Sequence, residues 1–188
     1  MRTQVGVSQC GLVIALVVMA CAAGRVTVRA QSAEFVPVTD AMLQEPAPED
    51  WLMWRRTLDG WGYSPLDQIT RENVGELRMV WTRALGRGSQ QGTPLAYDGV
   101  LYMPNPRDVI QAIDATTGDL LWEHRREVPE NVGEGGLVTN NRNIAIYGRL
   151  IIDTSVDDHV FALDADTGDM AWETEILDYD TYRAMQSS

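Results

Sequence analysis

The sequence predicts an all-β fold of repeated sheet units, a β-propeller or solenoid and not a globule with one core. Three observations carry this. An eleven-residue stretch occurs twice, AIDATTGDLLW (Ala112–Trp122) and ALDADTGDMAW (Ala162–Trp172), fifty residues apart without a gap. The register extends outward, so that Val100, Leu101 and Tyr102 fall on Leu150, Ile151 and Ile152, and Tyr97 falls on Tyr147. The runs before each Thr-Gly pair, Val109–Asp114 and His159–Asp164, are apolar on both faces, as in a sheet covered on both sides. Self-similarity at a period of about fifty residues is the signature of blades or stacked repeats.

The repeated stretch has the chemistry of a β-hairpin corner. Asp114 and Asp164 can turn their carboxylates onto backbone N–H groups two or three residues ahead. Gly118 and Gly168 can then take the positive φ that closes the turn. Trp122 and Trp172 follow at matching positions, and each reads as a wedge between neighbouring units, with one N–H in need of a partner. These residues define architecture and carry no chemistry of their own.

The first thirty residues read as an export signal. Arg2 opens it, Gly11–Ala23 is an uncharged apolar run, and Val28-Arg29-Ala30 resembles a small-residue cleavage site before Gln31. Arg25 and Arg29 keep open an uncleaved anchor, and Val18–Cys21 half-resembles a lipid-attachment site. Both cysteines, Cys10 and Cys21, lie here, so a mature chain has neither disulfide nor thiolate metal site. The expected location is the periplasm or the exterior. The membrane is touched only through an uncleaved signal or a lipid anchor. The protein has 15 basic residues, all arginine, against 27 acidic ones, a net charge of −12. Such a surface repels nucleic acid and anionic lipid and keeps the chain soluble.

Residues 31–77 read as a lead-in segment with three of the six tryptophans, a short helix near Thr39-Asp40, and a helical turn capped by Thr70 and ending at Gly75. Arg78–Leu85 is a strand candidate with Trp81 at its centre, and residues 78–188 carry about two blades.

A set of motifs runs from Thr39 to the C-terminus. They are Trp54, Gly60, Tyr63-Ser64-Pro65-Leu66-Asp67-Gln68-Ile69, Asn73-Val74, Leu77 and Trp81, then Gly92-Thr93-Pro94-Leu95 and Asp98–Tyr102, then the repeats. Together they resemble the start of a PQQ-dependent alcohol dehydrogenase, a quinoprotein of the methanol/ethanol dehydrogenase type. The resemblance implies a quinoprotein-type β-propeller of eight blades with pyrroloquinoline quinone (PQQ) and Ca²⁺ near its axis. It also implies an alcohol substrate, a catalytic carboxylate and metal ligands from later blades, and cytochrome c as electron acceptor. By resemblance, Gln91 stands where the family places a cofactor-contacting Glu, and Arg142, in Asn141-Arg142-Asn143-Ile144-Ala145-Ile146-Tyr147-Gly148, stands where an Arg pairs with the cofactor. No catalytic or metal-binding residue is assigned. Gly136-Leu137 replaces the adjacent cysteines found in many members, and Glu134 has no assigned role.

The histidines, His124 and His159, read as structural, since no third ligand stands at a useful spacing. Asp157-Asp158 reads as a polar hairpin turn, and Glu123 and Glu173 read as structural. The alternative to a dehydrogenase is a non-catalytic propeller lipoprotein that binds protein partners and is lipidated at Cys21. As a portion of two blades, the chain is expected to be inactive by itself.

Overall fold

A computed structural model describes residues 34–129 and 141–182. The expected export signal, both cysteines, Glu134 and Gly136-Leu137 lie outside the described residues. Among those described, eight strands form two antiparallel four-stranded sheets, each a simple meander. The first sheet comprises β1 (Leu95–Tyr97), β2 (Val100–Asn105), β3 (Val109–Asp114) and β4 (Leu120–Arg125). The second comprises β5 (Ala145–Tyr147), β6 (Leu150–Thr154), β7 (His159–Asp164) and β8 (Met170–Glu175). The predicted strands Val109–Asp114 and His159–Asp164 are β3 and β7, residue for residue.

The fifty-residue repeat is a structural repeat down to its irregularities. Each β3–β4-type pairing carries one register shift, between Ala112 and Ile113 in the first sheet and between Ala162 and Leu163 in the second. The bulge sets Trp122 opposite Ala112 and Trp172 opposite Ala162. Both alanines are fully buried, and their small side chains leave room for the indole. At the corners, Asp114 Oδ1 accepts from the Thr116 and Thr117 N–H groups at 2.7 and 2.9 Å. Asp164 Oδ1 accepts from Asp166 and Thr167 at 2.9 and 3.2 Å. Gly118 and Gly168 have φ of 77° and 76°.

These glycines serve a second purpose that concerns the joint between sheets. A Cβ on Gly168 would fall 2.6 Å from Trp122 Cε3, so the bare backbone is what lets the indole of the first sheet seat on the turn of the second. Trp122 Nε1 then donates to the Ala165 carbonyl at 3.0 Å, and Tyr102 Oη donates to the same oxygen at 3.2 Å. Trp81 repeats this joint one unit earlier. It packs on Gly118 and donates to Ala115 O at 3.0 Å. Arg78–Leu85, expected as a strand, forms none. No described strand lies beside it to form a ladder, and its Met79 and Val80 are exposed, so Trp81 is its anchor. Trp172 differs from its two counterparts. It is 40% exposed, and among the described residues no glycine turn lies against it.

The lead-in ties down both sheets. Thr39 caps α1 (Asp40–Gln44) by accepting from Met42 N–H, and Thr70 and Asn73 organise a turn leading into a 3-10 segment at Val74–Glu76. Val38 pairs with Gly148 of the second sheet, and Trp51 pairs with Ala96 of the first. Val38 and Leu52 join Leu95, Tyr102, Ile110, Ile151, Phe161 and Leu163 in one core shared by the two sheets. Arg149 reaches Phe35 O at 3.3 Å and lies over the Phe35 ring.

Candidate functional site

The antiparallel meander gives the sheets two unlike ends. The Thr-Gly turns and the tryptophan joints occupy one end. The other end is formed by the starts of β1, β3, β5 and β7 and the finishes of β2, β4, β6 and β8, and it collects polar residues. Both sequence-predicted cofactor contacts lie at this polar end, in the segments that enter β1 and β5.

The structure brings the two together. Arg142 Nε donates to Gln91 Oε1 at 3.0 Å across 51 residues of sequence. The backbones also meet, since Thr93 N–H donates to Arg142 O at 2.8 Å. Both side chains are exposed. Gly92 is required where it stands, because a Cβ there would run into Pro104 of β2. Next to it, Gln90 Nε2 donates to Asn105 Oδ1 at 2.9 Å. Asn105 donates to Gln111 Oε1 at 3.4 Å, and Gln111 donates to Glu123 Oε2 at 2.7 Å. This ladder of amides crosses all of the first sheet and anchors the segment that carries Gln91.

Arg142 is anchored from the other side. Asn141, its chain neighbour, is buried and donates through Nδ2 to Asp153 Oδ2 in the middle of the second sheet. Asp153 is 3% exposed, and its Oδ1 accepts from Thr154 N–H at 2.8 Å. Burial pushes its carboxyl up to about 7, against the lowering effect of those two hydrogen bonds and with a further push from Asp108.

A second polar group joins the two sheets. Arg126, at the finish of β4, donates to Asp157 Oδ1 at 2.6 Å, to Ser155 Oγ at 2.8 Å and to Glu173 Oε1 at 2.6 Å. Ser155 Oγ also contacts Asp108 and Asp157. Burial pushes the Asp108 carboxyl up, against the hydrogen bonds from Ser155 Oγ and Val156 N–H, which lower it. Burial opposes the charge on Asp157, but the hydrogen bonds from Arg126 and Ser155 outweigh it and hold that carboxyl below its ordinary range. Asp157 and Asp158 thus form the hairpin turn expected of them, with Asp158 N–H donating to Ser155 O at 3.1 Å. Glu173 ties the sheets together, and Glu123 ends the amide ladder. His124 Nδ1 lies 3.1 Å from Gly168 O, and its ring stacks on Phe161. His159 Nδ1 lies 2.9 Å from Asp157 O. Among the described residues, no three His, Cys, Asp or Glu side chains come together as a metal site.

Sequence reasoning named Gln91 and Arg142, which the structure brings together, and did not name the residues that hold them. Asp153 had a signal, since it is a carboxylate inside the apolar run Leu150–Thr154, at the position that Met103 occupies one repeat earlier. The Gln90–Asn105–Gln111 ladder had none, because its members come from three separate segments.

The sheets, their repeated joint and the polar end define a quinoprotein-type β-propeller, represented here by two open four-stranded sheets. The chain belongs to the PQQ family, described as the glucose/ethanol/alcohol dehydrogenase β-propeller domain, which matches residues 51–173. The family's cofactors are PQQ and a metal ion. The dehydrogenase subunit of the quinone-type alcohol dehydrogenase of Gluconacetobacter polyoxogenes is 44% identical over 103 residues, which is 53% of this chain and 14% of that protein. The 1-butanol dehydrogenase (cytochrome c) of Thauera butanivorans is 38% identical over 101 residues, 52% of this chain and 14% of that protein. Among solved structures, the quinohemoprotein alcohol dehydrogenase ADHIIG of Pseudomonas putida HK5 superposes with a TM-score of 0.66 at 33% identity, covering 76% of this chain and 22% of that one. The chain therefore spans a small part of the length of the relatives it matches.

Proposed function

We propose that this chain is the N-terminal part of a periplasmic PQQ-dependent dehydrogenase that oxidises an alcohol and passes electrons to a cytochrome c. The observation that carries the reading is the Arg142 Nε to Gln91 Oε1 hydrogen bond at the exposed polar end of the sheets. PQQ is a quinone bearing carboxylates, and its quinone accepts the hydride when bound. A guanidinium presents its N–H donors in a planar fork that matches a carboxylate or quinone oxygen. Gln91 brings an amide and no charge, so it orients the guanidinium without neutralising it. The donor set suits an anionic ligand, and Arg142 would hold it while Gln91 fixes the plane of the fork. The metal ligands and the catalytic carboxylate would come from other blades. The substrate class and the acceptor follow the alcohol dehydrogenases, including the cytochrome c-linked one, that the chain resembles.

The test compares PQQ retention after gel filtration in the protein as its gene encodes it. Arg142→Ala loses most of the cofactor, whereas Arg149→Ala, which removes a charge tied to Phe35 and Asp164, retains it. Equal retention in the two variants overturns the assignment of Arg142. The mass of the mature N-terminus tests export, with a start near Gln31 expected and a lipid on Cys21 contrary to it.

A further inference from the structure

We propose that Asp153 is a positioning residue for Arg142, acting through Asn141 to hold the guanidinium where an anionic cofactor meets it. The inference rests on the reading of Arg142 given above and extends it to a residue that touches no ligand.

Asn141 is 4% exposed, and Nδ2 donates to Asp153 Oδ2. Its Oδ1 is buried without a partner among the described residues, so Asp153 alone sets the orientation of this amide. Asp153 is itself fixed, because Thr154 N–H donates to its other oxygen at 2.8 Å. The backbone of Arg142 is thus held twice over. The Asn141 side chain pins the residue before Arg142 to β6, and Thr93 N–H pins the Arg142 carbonyl to the entry of β1 at 2.8 Å. From that fixed backbone the Nε reaches Gln91. The equivalent position of the first sheet holds no carboxylate but Met103, which is half-buried. A buried carboxylate is costly there unless it has partners. Its partners are the neighbouring Thr154 N–H and the residue that precedes Arg142. The charged group facing it from the first sheet is Asp108, which repels it and offers no alternative.

The experiment uses the protein as its gene encodes it, labelled with ¹⁵N-arginine. It measures hydrogen exchange at the Arg142 Nε–H and PQQ binding by equilibrium dialysis. Where partners orient a ligand-holding side chain, as in metal sites, their loss costs about 10–100-fold. Asp153→Leu is therefore expected to speed exchange at Arg142 about tenfold while Arg126 and Arg149 keep their rates. Asp153→Asn, which keeps an acceptor oxygen for Asn141, restores the slow rate. In PQQ binding, adding Asp153→Leu to Arg142→Ala produces no further loss. If Asp153→Leu does not fold, Asn141→Ala replaces it with the same expectations. The proposal is overturned by an unchanged Arg142 rate, by a parallel rise at all three arginines, or by additive losses of PQQ. If the unaltered protein retains no PQQ, the functional reading fails, and the exchange rates still decide the clamp.

Discussion

Trp122 sits on Gly168 so closely that a single methyl group on that glycine would lie 2.6 Å from the indole. Gly168→Ala therefore meets two penalties, a φ of 76° that disfavours a side chain and a collision with a ring that cannot move freely. Gly99 has the same φ of 76° and nothing within 4 Å of an added Cβ. Gly99→Ala is expected to cost about 1 kcal/mol from backbone strain. Gly168→Ala should cost about 2–4 kcal/mol once overpacking is added. Urea unfolding of the two variants checks this, and equal midpoints would show that the joint tolerates the methyl group.

The tryptophans at matching positions should not be equivalent. Trp122→Ala removes an indole seated between the sheets and is expected to cost about 3–5 kcal/mol. Trp172, 40% exposed in the described structure, should cost less than half of that unless another unit covers it. A blue-shifted, quencher-resistant emission from Trp172 would reveal such a cover.

Arg126 and Arg125 are neighbours with opposite fates. Arg125 pairs with Glu123 at the surface with its side chain 66% exposed, and Arg125→Ala is expected to change stability by less than about 1 kcal/mol. Arg126 has its side chain 8% exposed against Asp157 and Glu173. Its loss strands the Asp157 carboxylate, so Arg126→Met is expected to cost about 3–5 kcal/mol. Thermal denaturation at neutral pH separates the two.

Asp153 makes stability depend on pH in a direction opposite to most carboxylates. Its ordinary value is 3.8, and the fold raises it to about 7. The folded state therefore favours the protonated form. The stability this group contributes is complete below pH 3.8 and is lost as pH rises toward 7. A shift of this size corresponds to about 4 kcal/mol. Asp153→Asn has no such dependence. The stability of that variant relative to the unaltered protein should rise steadily between pH 4 and pH 7 and then level off, as chemical unfolding at several pH values would show. A flat difference across that window would place Asp153 at an ordinary value.

Legibility in the sequence followed the range of the interactions. The Asp-x-x-Thr-Gly corner could be read because each of its contacts spans two to four residues, and the repeat printed it twice. The tryptophan wedge was legible as an idea, yet its socket was not. That Gly168 must lack a Cβ for the sake of Trp122, as well as for its own φ, emerges only when the two sheets stand side by side. Trp81 escaped notice as a third copy because it precedes Trp122 by 41 residues instead of fifty, and its segment forms no ladder. Gln91 and Arg142 were marked by resemblance, but their hydrogen bond depends on two sheet entries converging. The Asp153–Asn141 link is a contact between side chains on different segments of one sheet, and no local pattern encodes it.

Each unit carries both halves of the joint. An indole projects from its last strand, and a bare glycine with a free-standing carbonyl waits on its corner. A stretch of DNA one period long, copied in tandem, therefore encodes a plug and a socket that already match, and an array can lengthen through duplication without inventing a new contact. Variation is then left to the opposite end. There the two copies have parted ways, with Gln91 against Asn141, Gly92 against Arg142 and Met103 against Asp153. The end that joins has stayed a replica, and the polar end has become individual.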